Sequence, residues 1–500
     1  MTAKSRARLA ATVTDMAPTL ESWVELRRRT LRTPGVQVCI RVDGEVVLSA
    51  ALGRADLERG TPLTPDHLFR IASHSKTFAA TACLLLREEG RLGLDDPVGR
   101  HVADFADTPV GALTVRELLG HQAGVIRDGA ACDYWQLDGP FPDRDRLVAM
   151  LRDEGVTYVP NAHFKYSNFG YSVVGLVVEA VSGMPFARFC RERILDVLDL
   201  PRIHPDLSDL PPSRLDELAS GHSGRLDGDD EPFVLRHADT GAMCAATGFM
   251  ANARDLTAYG SAHVLGDTRL LTDGSKRLMQ RLETLVEHDG EELGRYGLGF
   301  DLHTVGERRL VGHSGGFPGF ITRTFVDPRD SLVVSVLTNQ SGGPAGEIAT
   351  GLVKLIDLAV AGSPTREQWE ADVVGSPEVA SSPAHRLAQA ARPLADSGAD
   401  HTRFTGRFAC SFGRLEVARL GDRLVALAPD QPDPTAGAGE LFVVDRDTLV
   451  ADPAAGFDSV GEPWRYERTP DGAVACVVAG GMRLFPEEEF RARRRAMMGR

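Results

Sequence analysis

The chain has 500 residues, 43% hydrophobic and 25% charged, a soluble globular composition too long for one comfortable core, so two domains are expected. Its formal net charge of -14 argues against a nucleic-acid partner, whose phosphates select basic surfaces. Seven scattered cysteines, no Cys-x-x-Cys, no His-Glu-x-x-His and no glycine-rich phosphate loop predict free thiols, no metal and no cofactor.

Met1 to Thr19 shows no apolar core with a cleavage site, and no uncharged apolar run is long enough to span a bilayer. A cytoplasmic protein with no membrane partner is expected. Residues 5–33 read as a polar, arginine-rich helix. A hairpin follows over 35–53: Val36, Val38, Ile40 and Val42 alternate, Asp43-Gly44 turns, and Val46 to Ala51 returns.

After a loop, the spacing predicts a helix from Ser73 to Glu89, stopped by Gly90, with Phe78, Ala82, Leu85 and Leu86 on one buried face. Ser73 and Lys76 stand three residues apart at its start and can touch. A serine hydroxyl is a poor nucleophile until a base takes its proton. A lysine is such a base only where burial or a neighbouring cation lowers its pKa. The free N–H groups of a helix start are useful where an oxyanion develops. Serine also caps helices and lysine also decorates them. Lysine is rare here, however: Lys4, Lys76, Lys165, Lys276 and Lys354 are all there are, and Lys76 lies in an apolar, arginine-poor stretch. Ser75 is the rival nucleophile, on a different side of the helix.

From Leu92 to about Gly290 helices and loops dominate. Thr114-Val115-Arg116-Glu117 reads as a capped helix start ahead of Leu118, Leu119 and His121, and 169–182 as an apolar helix ended by Gly183. Strand patterns return at 296–303, 309–312, 321–326 and 332–337, before a last apolar helix over 346–360. Strands near both ends with helices between predict an α/β (α+β) sandwich: one antiparallel sheet closed by the first and last segments, flanked by helices, with a helical subdomain. Residues 362–402 read as a linker with one helix at 385–394. Short strands and tight turns between 414 and the glycine pair 480–481 predict a small all-β barrel or sandwich. The domain reading is therefore 1–361, linker 362–402 and barrel 403–490.

Two further stretches carry chemistry. In Tyr166-Ser167-Asn168, serine or asparagine caps the helix that follows. The functional reading instead puts the tyrosine oxygen beside Ser73 and Lys76. A nearby ammonium would lower the phenol's pKa, and the pair would shuttle the serine proton. Asn168 would then bind a substrate amide. In Gly312-His313-Ser314-Gly315-Gly316-Phe317-Pro318-Gly319-Phe320, between two strand patterns, the glycines let a substrate lie along the backbone, and Gly316 N–H joins that of Ser73 in an oxyanion hole. A glycine-rich hairpin turn is the plain alternative. The similar letters Gly221-His222-Ser223-Gly224 lie in a polar loop and read as a turn.

In this order, Ser73-x-x-Lys76, Tyr166-x-Asn168 and His313-x-Gly315 resemble the serine β-lactamase and penicillin-recognising hydrolase family. The branch resembled is that of class C β-lactamases, D-alanyl-D-alanine carboxypeptidases, D-aminopeptidases and related esterases. The later two motifs depart from Ser-Asp-Asn and Lys-Thr-Gly. The stretches 118–124, 246–252 and 296–300 support the match, which covers about residues 30–360; residues 403–490 resemble an appended lipocalin-like barrel. The resemblance implies a β-lactamase/transpeptidase-like fold and an acyl-enzyme mechanism. Ser73 is then the nucleophile, with Lys76 and Tyr166 a coupled base and acid. Asn168, His313, Ser314, Gly315 and Gly316 bind substrate, which is a small ester, amide or short peptide. An esterase, D-amino-acid amidase or aminopeptidase is expected. A β-lactamase, a carboxypeptidase, an acyltransferase and a non-catalytic binding protein are the alternatives, and the oligomeric state is left open. His313 stands where relatives place a lysine. A histidine of pKa near ~6.5 suits esters, amides or a free amino end better than a carboxylate, unless Arg323 supplies the charge.

Overall fold

The computed structural model describes residues 3–129, 132–224, 232–288, 291–361, 383–410, 413–436, 438–451, 463–479 and 482–497. It divides into two compact units, residues 1–7 with 31–349 and residues 8–30 with 350–500.

In the first unit, β1 (Gly35–Val42) and β2 (Glu45–Asp56) form the expected hairpin about Asp43 and Gly44, both at positive φ. The remaining strands of this sheet are β3 (Thr61–Pro62), β4 (Thr284–His288), β5 (Glu291–Tyr296), β6 (Asp301–Val305), β7 (Arg308–Phe317), β8 (Phe320–Asp327) and β9 (Leu332–Thr338). Their order is β3-β2-β1-β9-β8-β7-β6-β5-β4, antiparallel throughout, so the first and last segments meet in the middle as predicted. Two stretches of this sheet read differently from the sequence. The single strand expected over 296–303 is two. The chain reverses between Tyr296 and Asp301, where Gly299 has φ +83 and a Cβ on Gly297 would lie 2.2 Å from the Met279 carbonyl. The glycine-rich motif at 312–317 is strand rather than loop. A Cβ would meet the Thr324 carbonyl at 1.9 Å from Gly312 and the Ile71 carbonyl at 2.1 Å from Gly315, so both glycines serve close strand packing. The turn comes only at Pro318 and Gly319.

The Ser75–Glu88 helix has no solvent face over most of its length: every residue from Ser75 to Leu86 is buried, not one stripe as its spacing suggested. It runs through the core of the first unit, where Phe78 stacks on Phe249 and Tyr259 at 4.4 and 3.8 Å. The expected capped start at Thr114 is present, and it is a reciprocal capping box with Glu117. The Asn168–Ser182 helix starts on Ser167, whose Oγ accepts the Gly170 N–H, and stops at left-handed Gly183. Gly221–His222 is a short strand paired with Val234–Leu235, not a bare turn. The His222 ring is fixed by the Asn339 carbonyl and the Leu57 N–H.

The second unit holds a closed barrel of eight strands, from Gly406–Cys410 to Met482–Pro486, sealed by pairing the first with the last. Those two strands and the terminal Glu487–Met497 helix are absent from the pattern reading. The interior is filled by side chains such as Phe404, Phe408, Leu441, Trp464 and Tyr466. The expected boundary at 361 falls inside this unit. Trp23 of the Ala3–Thr30 helix lies where a Cβ on Gly351 would meet it at 2.2 Å, Arg27 donates to the Asp430 carbonyl at 2.6 Å, and Lys354 pairs with Asp433. The Ala3–Thr30 helix and the Ala345–Val360 helix, which carries Gly351 and Lys354, thus share apolar and polar contacts within the barrel's unit. Residues 362–382 of the predicted linker and the turn at 480–481 lie outside the described residues. The helix expected at 385–394 forms as Pro383–Ala390, with a further turn at Leu394–Ser397. Among the described residues, no single helix is long and apolar enough to cross a membrane, and no group of three His, Cys, Asp or Glu could hold a metal ion.

Candidate active site

Ser73 sits not in the α-helix but in the 3-10 turn Ala72–His74 just before it. Ala72 takes a left-handed φ of +47 while fully buried. Such a conformation costs an alanine about 1–3 kcal/mol and persists only where the surroundings enforce it. Here the Ala72 carbonyl accepts from Ser75 Oγ at 2.5 Å, and Ser75 Oγ accepts the Phe249 N–H at 3.0 Å. Ser75, the rival serine, is thus fully buried and tied on both sides. Ser73 instead opens into a cavity of about 780 Å3.

Lys76 has no exposed surface. Its Nζ lies 3.1 Å from Ser73 Oγ, 2.7 Å from Asn168 Oδ1 and 2.9 Å from the Ala246 carbonyl. The last partner lies in a single π-helical turn, Cys244–Gly248. Burial holds the lysine well below the ordinary ammonium range. Asp128 works against that shift and Arg127 adds to it. Both protonation states fit the same three oxygens. An ammonium donates to all three; a neutral amine donates to the Asn168 and Ala246 oxygens and offers its lone pair to the Ser73 hydroxyl.

Tyr166 OH donates to Ser73 Oγ at 2.8 Å. The expected lowering of its pKa by Lys76 does not occur. Burial raises this phenol beyond its usual value, against the smaller pull of the Ser73 bond and Arg127. Lys76 Nζ lies over the tyrosine ring, 4.8 Å from its centre, so Ser73 is what links the two. Asn168 also departs from the expected substrate contact. Its Oδ1 is on Lys76 and its Nδ2 donates to Asp128 Oδ1 at 2.8 Å, so only the second N–H of the amide is left over.

The third motif lies on β7. β6 pairs with it only over Arg308–Gly312, whereas β8 continues to Phe317, so from His313 onward one edge of β7 is not covered by β6. Ser314 and Gly316 line the cavity; Gly315 does not, being pressed on Ile71. His313 is buried, with both ring nitrogens engaged. Nδ1–H donates to the Ser314 carbonyl at 2.6 Å, so Nε2 accepts from Tyr296 OH at 3.0 Å. Burial pushes it down to about 4, with Asp301 opposing and Lys76 and Arg323 assisting. It is a neutral wall of the cavity. The alternative cation, Arg323, is paired to Asp301 at 2.7 Å. Burial would raise Asp301, but Arg323 and His303 hold it well below the carboxylate range.

Pattern reading missed Asp128, Asp301, Tyr296 and the Ala246 carbonyl. Tyr296 and Ala246 do lie in stretches that support the family resemblance. The two aspartates carry no spacing signal, and a carbonyl carries none in any sequence.

The sequence profile described as Beta-lactamase matches residues 20–358. A penicillin-binding protein of Bacillus subtilis (strain 168) is 29% identical over 306 residues, 58% of this chain and 65% of that protein. A D-aminopeptidase of Brucella anthropi is 28% identical over 349 residues, 68% of this chain and 62% of that protein. The matches thus span just under two thirds of these relatives' length. The solved D-amino acid amidase from Ochrobactrum anthropi SV3, complexed with D-phenylalanine, superposes with a TM-score of 0.56 at 25% identity, covering 65% of this chain and 92% of that one. Matched over residues 20–358 and carrying that fold, the chain belongs to the Beta-lactamase family of serine hydrolases.

Proposed function

We propose that the protein hydrolyses esters or amides through an acyl-enzyme on Ser73, with an acyl group that carries no free carboxylate. The observation that carries this reading is the set of oxygens around Lys76 Nζ, which leaves a neutral amine's lone pair for the Ser73 hydroxyl. Lys76 takes the Ser73 proton as Oγ bonds to the substrate carbonyl carbon. Backbone N–H groups of Ser73 and Gly316 receive the oxyanion. As the carbon–leaving-group bond breaks, the Tyr166 O–H gives its proton to the departing oxygen or nitrogen. The phenolate then takes a proton from water as the water attacks the acyl carbon, and the expelled Ser73 Oγ regains its proton from Lys76 as the acid leaves.

The substrate class follows from charge. The cavity-lining arginines are all paired: Arg127 with Asp128 at 3.1 Å, Arg295 with Glu292 at 2.7 Å, and Arg323 with Asp301 at 2.7 Å. A substrate carboxylate meets no uncommitted cation among the described residues, and His313 is neutral. Esters and substrates with a free amino end suit such a cavity, in line with the D-aminopeptidase and D-amino acid amidase relatives. The test is a panel of short-chain p-nitrophenyl esters, D- and L-amino-acid anilides and nitrocefin. Rapid ester hydrolysis with weak or no nitrocefin turnover is expected; nitrocefin turnover rivalling the best ester overturns the substrate class. Intact-mass labelling with a fluorophosphonate should vanish in Ser73→Ala and persist in Ser75→Ala. Labelling that survives Ser73→Ala overturns the nucleophile.

A further inference from the structure

We propose that His121 is a positioning residue that sets where the Tyr166 hydroxyl stands and affects the reaction only through it. The proposal rests on the reading of Tyr166 as the acid partner of Ser73. His121 follows the short Val115–Leu119 helix, takes a left-handed φ of +56 and is 2% exposed. It holds the chain on both sides of Tyr166. Its carbonyl accepts the Lys165 N–H at 2.8 Å, and its ring Nδ1 accepts the Ser167 N–H at 3.2 Å. Its ring lies against the Tyr166 ring with centroids 4.3 Å apart and planes at 34°. One side chain thus fixes the backbone after the tyrosine and the face of the tyrosine itself.

The other ring nitrogen argues that this is more than packing. With Nδ1 accepting, the proton is on Nε2. That N–H is buried and has no hydrogen-bond partner among the described residues. It faces aromatic rings instead: Tyr296 at 4.8 Å, Tyr171 at 5.0 Å and Phe164 at 5.5 Å, besides Tyr166. An unpaired buried N–H costs about 1–3 kcal/mol. An asparagine would supply the same acceptor and tolerates left-handed backbone without a buried ring N–H to satisfy. What only the histidine provides is the acceptor and the flat ring on Tyr166 together. His121 does not line the cavity, so it has no route to the substrate except through its neighbours.

The test is a double-mutant cycle on kcat and KM for the best ester, using His121→Ala, Tyr166→Phe and the pair. His121→Ala should lower kcat by roughly 10- to 100-fold, the scale of an ångström of misplacement, and leave KM within about threefold, the scale of context variation in such measurements. His121→Asn should recover part of that loss, since it keeps the acceptor but not the ring. In the Tyr166→Phe background, His121→Ala should change nothing further. Should the alanine chain fail to fold, His121→Phe takes its place in the cycle: it keeps the ring but loses the acceptor, so it should lose part of kcat and, like alanine, change nothing further in the Tyr166→Phe background. Additive losses, or a KM change as large as the kcat change, overturn the positioning role while leaving Tyr166 as the acid. A Tyr166→Phe enzyme with undiminished kcat overturns the acid role and the positioning proposal together.

Discussion

Lys76 and Lys276 both lack exposed surface, and each points its nitrogen at three oxygen partners. The partners differ in charge. Lys276 donates to the carbonyls of Val264 and Asp267 and meets the Asp273 carboxylate at 2.9 Å. Around Lys76 all three oxygens are neutral. The nearest carboxylate, Asp128, reaches it only through the Asn168 amide, 2.7 Å on one side and 2.8 Å on the other. A carboxylate in contact makes a buried lysine a structural cation. Neutral oxygens alone leave its charge uncompensated, so burial favours the amine. The difference between a base and a brace lies in one intervening amide.

Methionine at each position breaks this comparison most directly. Lys76→Met should lower kcat by about 10²- to 10⁴-fold, the range for a lost general base, while keeping or raising the unfolding free energy. Lys276→Met should do the opposite: it leaves a carboxylate and two carbonyls without their cation and should cost about 3 kcal/mol. Activity per folded molecule should stay near that of the parent. Urea unfolding and steady-state kinetics on the two variants decide the matter. If Lys76→Met proves the less stable of the pair, the distinction fails.

The same pair shows what was legible in the sequence. Both lysines are among only five in the chain, so rarity marks them equally. What separates them is Ser73 three residues before one of them, and that spacing survives even though the serine lies on a 3-10 turn rather than in the helix. The sheet, its closure by β1 and β9, and the capped helices were readable because alternation and caps are local. Residues 312–317 were not readable as strand. Glycine signals turns by default, and the need for it here comes from the Thr324 and Ile71 carbonyls, which are distant in sequence. The grouping of the first helix with the barrel was hidden for the same reason. The direction of the Tyr166 shift was missed because burial, not the neighbouring lysine, dominates it, and burial is a property of the folded chain.

A gentler change sharpens the role of the intervening amide. Asp128→Asn keeps an oxygen for the Asn168 N–H but removes the charge that draws Lys76 upward. Without it the lysine's pKa falls further. The acidic limb of kcat/KM, which reports the free enzyme's base, should move to lower pH with little change in the plateau. A limb that stays in place or moves upward would mean that another group sets it.

The smallest expected effect is a change in how acid destabilises the chain, since buried neutral rings stand beside both lysines. Near Lys76, His74 is pushed down to about 3 and His313 to about 4; near Lys276, His263 is pushed down to about 3. Burial is the main cause in each case. In the unfolded chain these groups titrate near ~6.5. Between there and pH 4 the unfolded state therefore binds protons that the folded state refuses. Stability should be greatest above pH 6.5 and fall with acidification, by about 1.4 kcal/mol per pH unit for each histidine. The lysines sharpen the expectation, because Lys276 adds to the depression of His263. Lys276→Met should let that pKa rise toward its unfolded value, narrowing the window in which the two states differ. Although less stable at neutral pH, this variant should lose less additional stability on acidification than the parent does. Urea midpoints from about pH 7 down to about pH 3 measure this, since they span the free histidine value and the folded one. A steeper acid loss in Lys276→Met would show that its charge is not what holds His263 down.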